Sequence, residues 1–347
     1  REHPPANFSR MLANREMVHI GWNQIRLTLE ETAGIVHLQK GNQSISKTNI
    51  RQLHKAAGGW TAGLMLMLAK AHLDDIDWQW AQGSAPEEIL DYFAKEVFEN
   101  ETSEIQDFLL RAAVLPHMTT SMAKTFTGHP RAGQILAEMS RNNRFTERRL
   151  RQRLFYQFHP LFREFLLSRT KLKRTEEELA DWRLKAAKLL IEEGNPDSAA
   201  ELLQDAQAWD ALIELIMNHA LIMIRQGRNQ SLLQWLRAVP KAMVADMPWL
   251  QFWMGIAQMP FDPEAGRAFL EKAFSAFRNQ NDTFGVFLSW SFIIRAIFLK
   301  MTDISPFDHW IQVLDELMDK YGQFPNREIE GQVVAGMLLA LVHRQMD

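Results

Sequence analysis

Three consecutive residues, Gly194-Asn195-Pro196, constrain the second half of the chain more than any other feature. Glycine closes one helix because the left-handed backbone costs it nothing, asparagine caps the next, and proline suits a first turn where its missing N–H loses no partner. The start signal recurs as Asp262-Pro263-Glu264, and Pro306 and Pro325 punctuate later. Between these stops apolar residues return at helical spacing, so residues 170–347 read as helical hairpins throughout. First helices of successive pairs are predicted to begin near Leu179, Ala208, Pro248, Thr283 and Arg327. Their spacing is irregular, mostly about 30–45 residues, the range of helical-repeat arrays. The second helices share a loose pattern, GNPDSAAELLQDA, GRNQSLLQWLRAV and FDPEAGRAFLEKAF, with small and large apolar residues alternating as in stacked hairpins. No such pair buries its apolar face alone, so the stack must be continuous, an α-superhelix.

The first half reads differently. One short strand is predicted at Val18 to Leu27, then a helix with Thr28 as cap and Glu30 and Glu31 in its first turn, where carboxylates suit the helix dipole. Gly58-Gly59-Trp60 leads into an apolar helix from Ala62 to His72, and Asp74 to Pro86 reads as a loop. Phe93, Val97, Ile105, Phe108, Leu109 and Ala112 recur at helical spacing, with Thr102 as an N-cap. Phe145 to Phe158 combines β-formers with arginines and predicts a hairpin. Helices, a small hairpin and a further helix make a winged-helix unit. The expected divisions are 1–85, 86–170 and 171–347, in a mostly α chain.

Bulk properties narrow the chemistry. With no cysteine, disulfides and thiolate metal sites are excluded, and a reducing cytoplasm is the expected setting. A net charge of −3 exerts no global pull on nucleic acid. No uninterrupted apolar run approaches the about 18 residues that cross a bilayer; the nearest, Val286 to Met301, is broken by Arg295 and Lys300. The chain opens on Arg1 rather than Met, which suggests a trimmed fragment.

Three stretches together resemble signal-transducing ATPases of the large LuxR-type activator branch, the group that contains the maltose regulon activator. REHPP at the amino terminus is similar to the Arg-x-x-Pro-Pro that ends their nucleotide-binding core. AAGGWTAGLMLMLAKA is similar to the Gly-Trp helix of their lid subdomain, and LFYQFHPLFREFLLSR to the His-x-Leu-Phe signature closing their winged helix. Between the last two, DYFAKEVFENETSEIQDFLLRAAVLPHM has the family's acidic helix and Val-Leu-Pro run. The resemblance covers residues 1–170; the array beyond takes the place of the family's TPR-like sensor. It implies a lid remnant, a winged helix and a superhelical sensor within a regulator that ATP and an inducer drive to oligomerise while ADP holds it closed. No G-x-x-x-x-G-K-[ST] occurs, and the chain ends at Asp347 within repeat-like sequence. The fragment is therefore expected to bind no cofactor and neither hydrolyse ATP nor read a promoter. ATP or ADP with Mg, self-association, and DNA through a carboxyl-terminal helix-turn-helix belong to the parent.

By resemblance His159 matches the winged-helix histidine that reaches the β-phosphate of ADP; the alternative is a histidine satisfied in an aromatic cluster with Tyr156, Phe158 and Phe162. Arg1 matches the arginine that senses nucleotide phosphate. Gly59 and Trp60 fall where the lid lines the adenine pocket, although Thr61 stands where many relatives carry proline, and Trp60 also reads as a core aromatic. The run Arg141, Arg144, Arg148, Arg149, Arg151 and Arg153 admits a DNA-binding wing or a solvated, interdomain one. In the array Trp249, Trp253, Trp290 and Trp310, with Arg295 or Asp308, read as core residues or as the lining of an effector site. The histidines form no metal-ligand spacing, and no catalytic site stands out. The expected partner is a small-molecule inducer or a regulatory protein on the superhelix, with no membrane; the rival reading is a protein-binding scaffold without an effector.

Overall fold

A computed structural model describes residues 25–40, 45–70, 91–142, 144–150, 153–300 and 305–344. The strand expected at Val18 to Leu27 falls almost wholly outside these residues, as do the loop from Asp74 to Pro86 and Arg1. The chain divides into two compact units, Arg1–Ser198 and Ala199–Asp347. Helices dominate both, and the described residues hold one two-stranded sheet.

In the first unit, α1 (Leu29–Lys40) starts as expected. Thr28 Oγ1 accepts from the Glu31 N–H while the Glu31 carboxylate accepts from the Thr28 N–H, a reciprocal cap. Those bonds hold the Glu31 carboxyl below its usual range. Helices α2 (Lys47–Ala57) and α3 (Thr61–Lys70) follow, then a π-helical turn, Phe93–Phe98. The winged helix comprises α4 (Ser103–Ala112), α5 (Thr120–Thr127), α6 (Ala132–Arg141), β1 (Thr146–Leu150), β2 (Leu154–Phe158) and α7 (Pro160–Lys173). Thr102 caps α4 as the sequence predicts. The hairpin pairs Thr146 with Phe158 through to Leu150 with Leu154, and Met118 adds an isolated bridge to Tyr156 on its far side. Phe93, Phe108, Phe158, Phe162 and Phe165 are fully buried and form the core. Arg163 donates from Nε to the Ala113 carbonyl and from Nη2 to that of Val114, satisfying backbone acceptors left over where α4 ends.

Helix α8 (Glu176–Glu192), the first predicted helix of the array, lies in this unit. The guanidinium groups of Arg111 and Arg174 both lie over its Trp182 ring, 5.1 and 5.3 Å from the ring centre. Arg153 from the wing reaches Glu193 at 3.0 Å, and the Asn195 amide meets the His117 ring at 2.7 Å. Helix α9 (Pro196–Asp205) runs from this unit into the next.

The second unit is a row of hairpins: α10 (Trp209–Arg225), α11 (Asn229–Ala238), a short α12 (Lys241–Asp246), α13 (Pro248–Gln258), α14 (Pro263–Gln280), α15 (Thr283–Lys300), α16 (Pro306–Tyr321) and α17 (Arg327–Arg344). The observed first helices begin at or within three residues of the predicted starts; α12 is an addition. Asp262 caps α14 by accepting from the Ala265 N–H. Sequence neighbours pack as pairs, and the first helices α13, α15 and α17 also pack in a row. Glycine sets two of these distances. A Cβ on Gly255 or on Gly266 would stand 2.9 Å from the other's carbonyl oxygen, and one on Gly285 would strike the Phe277 ring at 2.5 Å. Helix α15 is long and apolar enough to span a membrane by length and composition, but 56% of it is buried inside the protein.

Candidate functional site at the glycine turn and winged helix

Helix α2 stops at Gly58, whose φ of +56° lets its N–H turn back to the His54 carbonyl. Gly59 follows at φ +81° and accepts from the Leu27 N–H at 2.9 Å. Two left-handed residues in succession are tolerated here because both lack a Cβ. Gly58 has a second reason: an added Cβ would stand 2.4 Å from Nε2 of His159, across a buried contact.

His159 enters from the other side as the residue before α7, where Pro160 opens the helix. Its N–H donates to the Phe145 carbonyl at 2.7 Å, fixing the imidazole between hairpin and helix. The residue is 3% exposed, and Nε2 lies 3.0 Å from the Ala57 carbonyl, the last residue of α2. That oxygen also accepts from the Trp60 N–H at 2.8 Å, so both lone pairs are used. Nε2 must carry the proton to make this bond, which leaves Nδ1 the bare nitrogen, buried with no partner among the described residues. Burial lowers the His159 pKa and outweighs the opposing pull of the Ala57 carbonyl and of Glu147. The neutral imidazole is therefore a clasp from the winged helix onto the glycine turn.

Aromatic rings close around it. Trp60 is 5.5 Å from Phe93, 5.2 Å from Phe145 and 6.4 Å from His159. It folds back over Gly63, where a Cβ would meet the ring at 2.2 Å. Phe145 takes φ +50°, a strained position for a bulky residue, and its ring packs on Phe93 at 4.8 Å and Phe162 at 5.9 Å. The structure thus brings together His159, Gly59 and Trp60; Arg1 lies outside the described residues. Phe145, Gly63 and the Ala57 carbonyl were not anticipated. Gly63 had a signal, since it follows Trp60 by one helical turn.

As arranged, these residues do not fit a nucleotide phosphate. Nε2–H of His159 and the N–H groups of Gly58 and Trp60 are all spent on main-chain carbonyls. Three arginines of the hairpin region are likewise taken by carboxylates: Arg144 pairs with Glu101, Arg149 with Glu147, and Arg153 with Glu193, while Arg148 stays exposed.

In the second unit Trp290 is fully buried and donates from Nε1 to the Trp310 carbonyl at 2.7 Å. Trp310 is buried against Phe274, and Trp249 packs edge-on against Phe252 and Phe277. Trp253 is half-buried, its Nε1 enclosed with no partner among the described residues. Arg295 lies over the Phe292 ring at 4.8 Å and donates to Gln332.

Residues 94–179 match the family model for the MalT winged helix domain. The chain carries a MalT-type winged helix. The curated MalT regulators of Cronobacter sakazakii and Serratia proteamaculans are each 25% identical to it, over 69% and 80% of this chain respectively. That of Vibrio cholerae is 24% identical over 67%. The chain spans 26–31% of the length of these MalT proteins. A solved signal-transduction ATPase with numerous domains and a tetratricopeptide-repeat sensor, from Pyrococcus horikoshii, aligns at TM-score 0.37 and 14% identity, over 93% of this chain and 52% of its own. The resemblance read from the sequence holds: the chain is similar to part of the MalT regulators.

Proposed function

We propose that the chain is the sensor and relay portion of an ATP-dependent, MalT-like transcriptional activator of the cytoplasm. Its hairpin unit takes up an effector, and the winged helix passes the result to the nucleotide-controlled, oligomerising part of the protein. The observation that supports this most is the His159 clasp: a MalT-type winged helix joined by one buried imidazole to the turn that closes a lid helix. Such a contact has two states, made and broken, and an effector that binds one better shifts the balance. The fragment itself is no enzyme, and ATP or ADP with Mg would act in the parent. DNA contact would likewise reside elsewhere, because Arg144, Arg149 and Arg153 of the wing are each paired with a carboxylate.

A second reading, a protein-binding scaffold without an effector, draws on Trp290 and Trp310 being consumed by the core. Hydrogen exchange distinguishes the two. A small molecule that protects helices of residues 199–347 should also change protection at Gly58, Gly59 and Trp60. Protection confined to the hairpin unit, or produced only by a protein, would overturn the relay.

A further inference from the structure

The two hairpin strands differ in what their outer edges meet. Tyr156 of β2 spends its N–H and its C=O on Met118, at 2.8 and 2.9 Å, so it exchanges no main-chain bond with Arg148, the residue opposite it. In an antiparallel pair such bonds alternate, and the bond from the His159 N–H to the Phe145 carbonyl fixes the same phase. The N–H and C=O of Arg148 therefore point away from β2, out of the open side of β1, and those of Leu150 do the same. Among the described residues no strand pairs with that side. Arg148 and Leu150 share one face of β1. Leu150 is 79% exposed, and Arg148 is exposed and, unlike Arg144, Arg149 and Arg153, has no carboxylate partner among the described residues. On the other face Glu147 and Arg149 neutralise each other at 2.8 Å. Open edges are commonly blunted by proline, a bulge or charge. The register of β1 runs unbroken from Thr146 to Leu150 without proline, so charge alone guards this edge. That guard is selective. A second β1 laid antiparallel about Arg148 would set two guanidinium groups opposite each other, whereas a carboxylate in that place would be attracted.

We propose that the open edge of β1 takes up an extended, acidic segment of a partner protein by antiparallel strand addition. The main chain of that segment would exchange two hydrogen bonds with Arg148, its carboxylate would face the Arg148 guanidinium, and an apolar residue two places on would cover Leu150. The inference goes beyond the effector reading above and does not rest on it, since the edge belongs to the wing and not to the hairpin unit.

Amide ¹H–¹⁵N spectra of the whole chain test it, with the peptide acetyl-Ile-Thr-Glu-Thr-Ile-amide as probe and its Glu-to-Lys counterpart as control. The acidic peptide should shift the Arg148 and Leu150 amides saturably, and the lysine peptide should bind about tenfold more weakly. Arg148→Glu, a change at an exposed position, should reverse the order of the two peptides. Methylating the peptide nitrogen of the probe's Glu removes the donor to the Arg148 carbonyl and should weaken binding severalfold; it carries the test without altering the protein. No saturable shift, equal binding of the two peptides, or full binding of the methylated one would overturn strand addition. Shifts of the same amides with protein concentration alone would assign the edge to a second copy and overturn the acidic partner.

Discussion

At Gly58 two demands coincide, a left-handed φ and the absence of a side chain facing His159. They separate experimentally. Gly128 shares the left-handed backbone at φ +73° but has open space around it. Gly128→Ala should therefore cost about 1–2 kcal/mol, the backbone term alone. Gly58→Ala should cost clearly more, because the imidazole must leave Ala57. Equal losses in urea unfolding would show that His159 is not held at the turn. The same histidine imposes a pH dependence. Its folded pKa lies below the usual value, so between that value and about 6.5 the unfolded chain binds the extra proton. Stability should then fall as pH drops through 6.5. The difference in melting temperature between pH 7.5 and 5.5 should shrink in His159→Gln, whose amide can still donate. An unchanged difference would assign the effect to other histidines.

Among the elements, glycines in helices predict opposite signs. Gly331 in α17 has nothing within 4 Å of an added Cβ, so Gly331→Ala should stabilise by about 0.5–1 kcal/mol through helix propensity. Gly266→Ala at the α13–α14 crossing should destabilise, since the new carbon stands 2.9 Å from the Gly255 carbonyl. Chemical denaturation of the two variants reads both signs. These crossings explain what the sequence showed and what it hid. Helix starts were legible because caps act locally: Thr28, Thr102 and Asp262 each signal within three residues. The winged-helix hairpin was legible from its β-formers. The Met118 bridge, the Gly255–Gly266 approach and the Ala57–His159 bond join residues distant in sequence, and no local pattern encodes them. Of the candidate site, His159 and the Gly-Gly-Trp turn were found through their motifs. Their direct union through a main-chain carbonyl was not, because a carbonyl has no sequence signature. The tryptophans of the array carried core and ligand readings alike, and only packing separates buried Trp290 from Trp253 with its unused N–H.

For the molecule as a whole, the charge balance predicts weak attraction to DNA. The net charge is −3, and Arg144, Arg149 and Arg153 are paired on the wing. Random duplex should show no retardation in gels at 150 mM salt, a condition that already weakens phosphate contacts; salt-dependent retardation that is lost with Arg148→Ala would contradict this. A neutral His159 joins the MalT-type winged helix to the glycine turn. Long-range ¹H–¹⁵N correlation of the imidazole nitrogens, assigned through His159→Gln, observes it directly. One histidine should be held as the Nε2–H tautomer and remain neutral below about pH 6.5. A His159 that titrates near 6.5 with both nitrogens in exchange would mean that the clasp is not made.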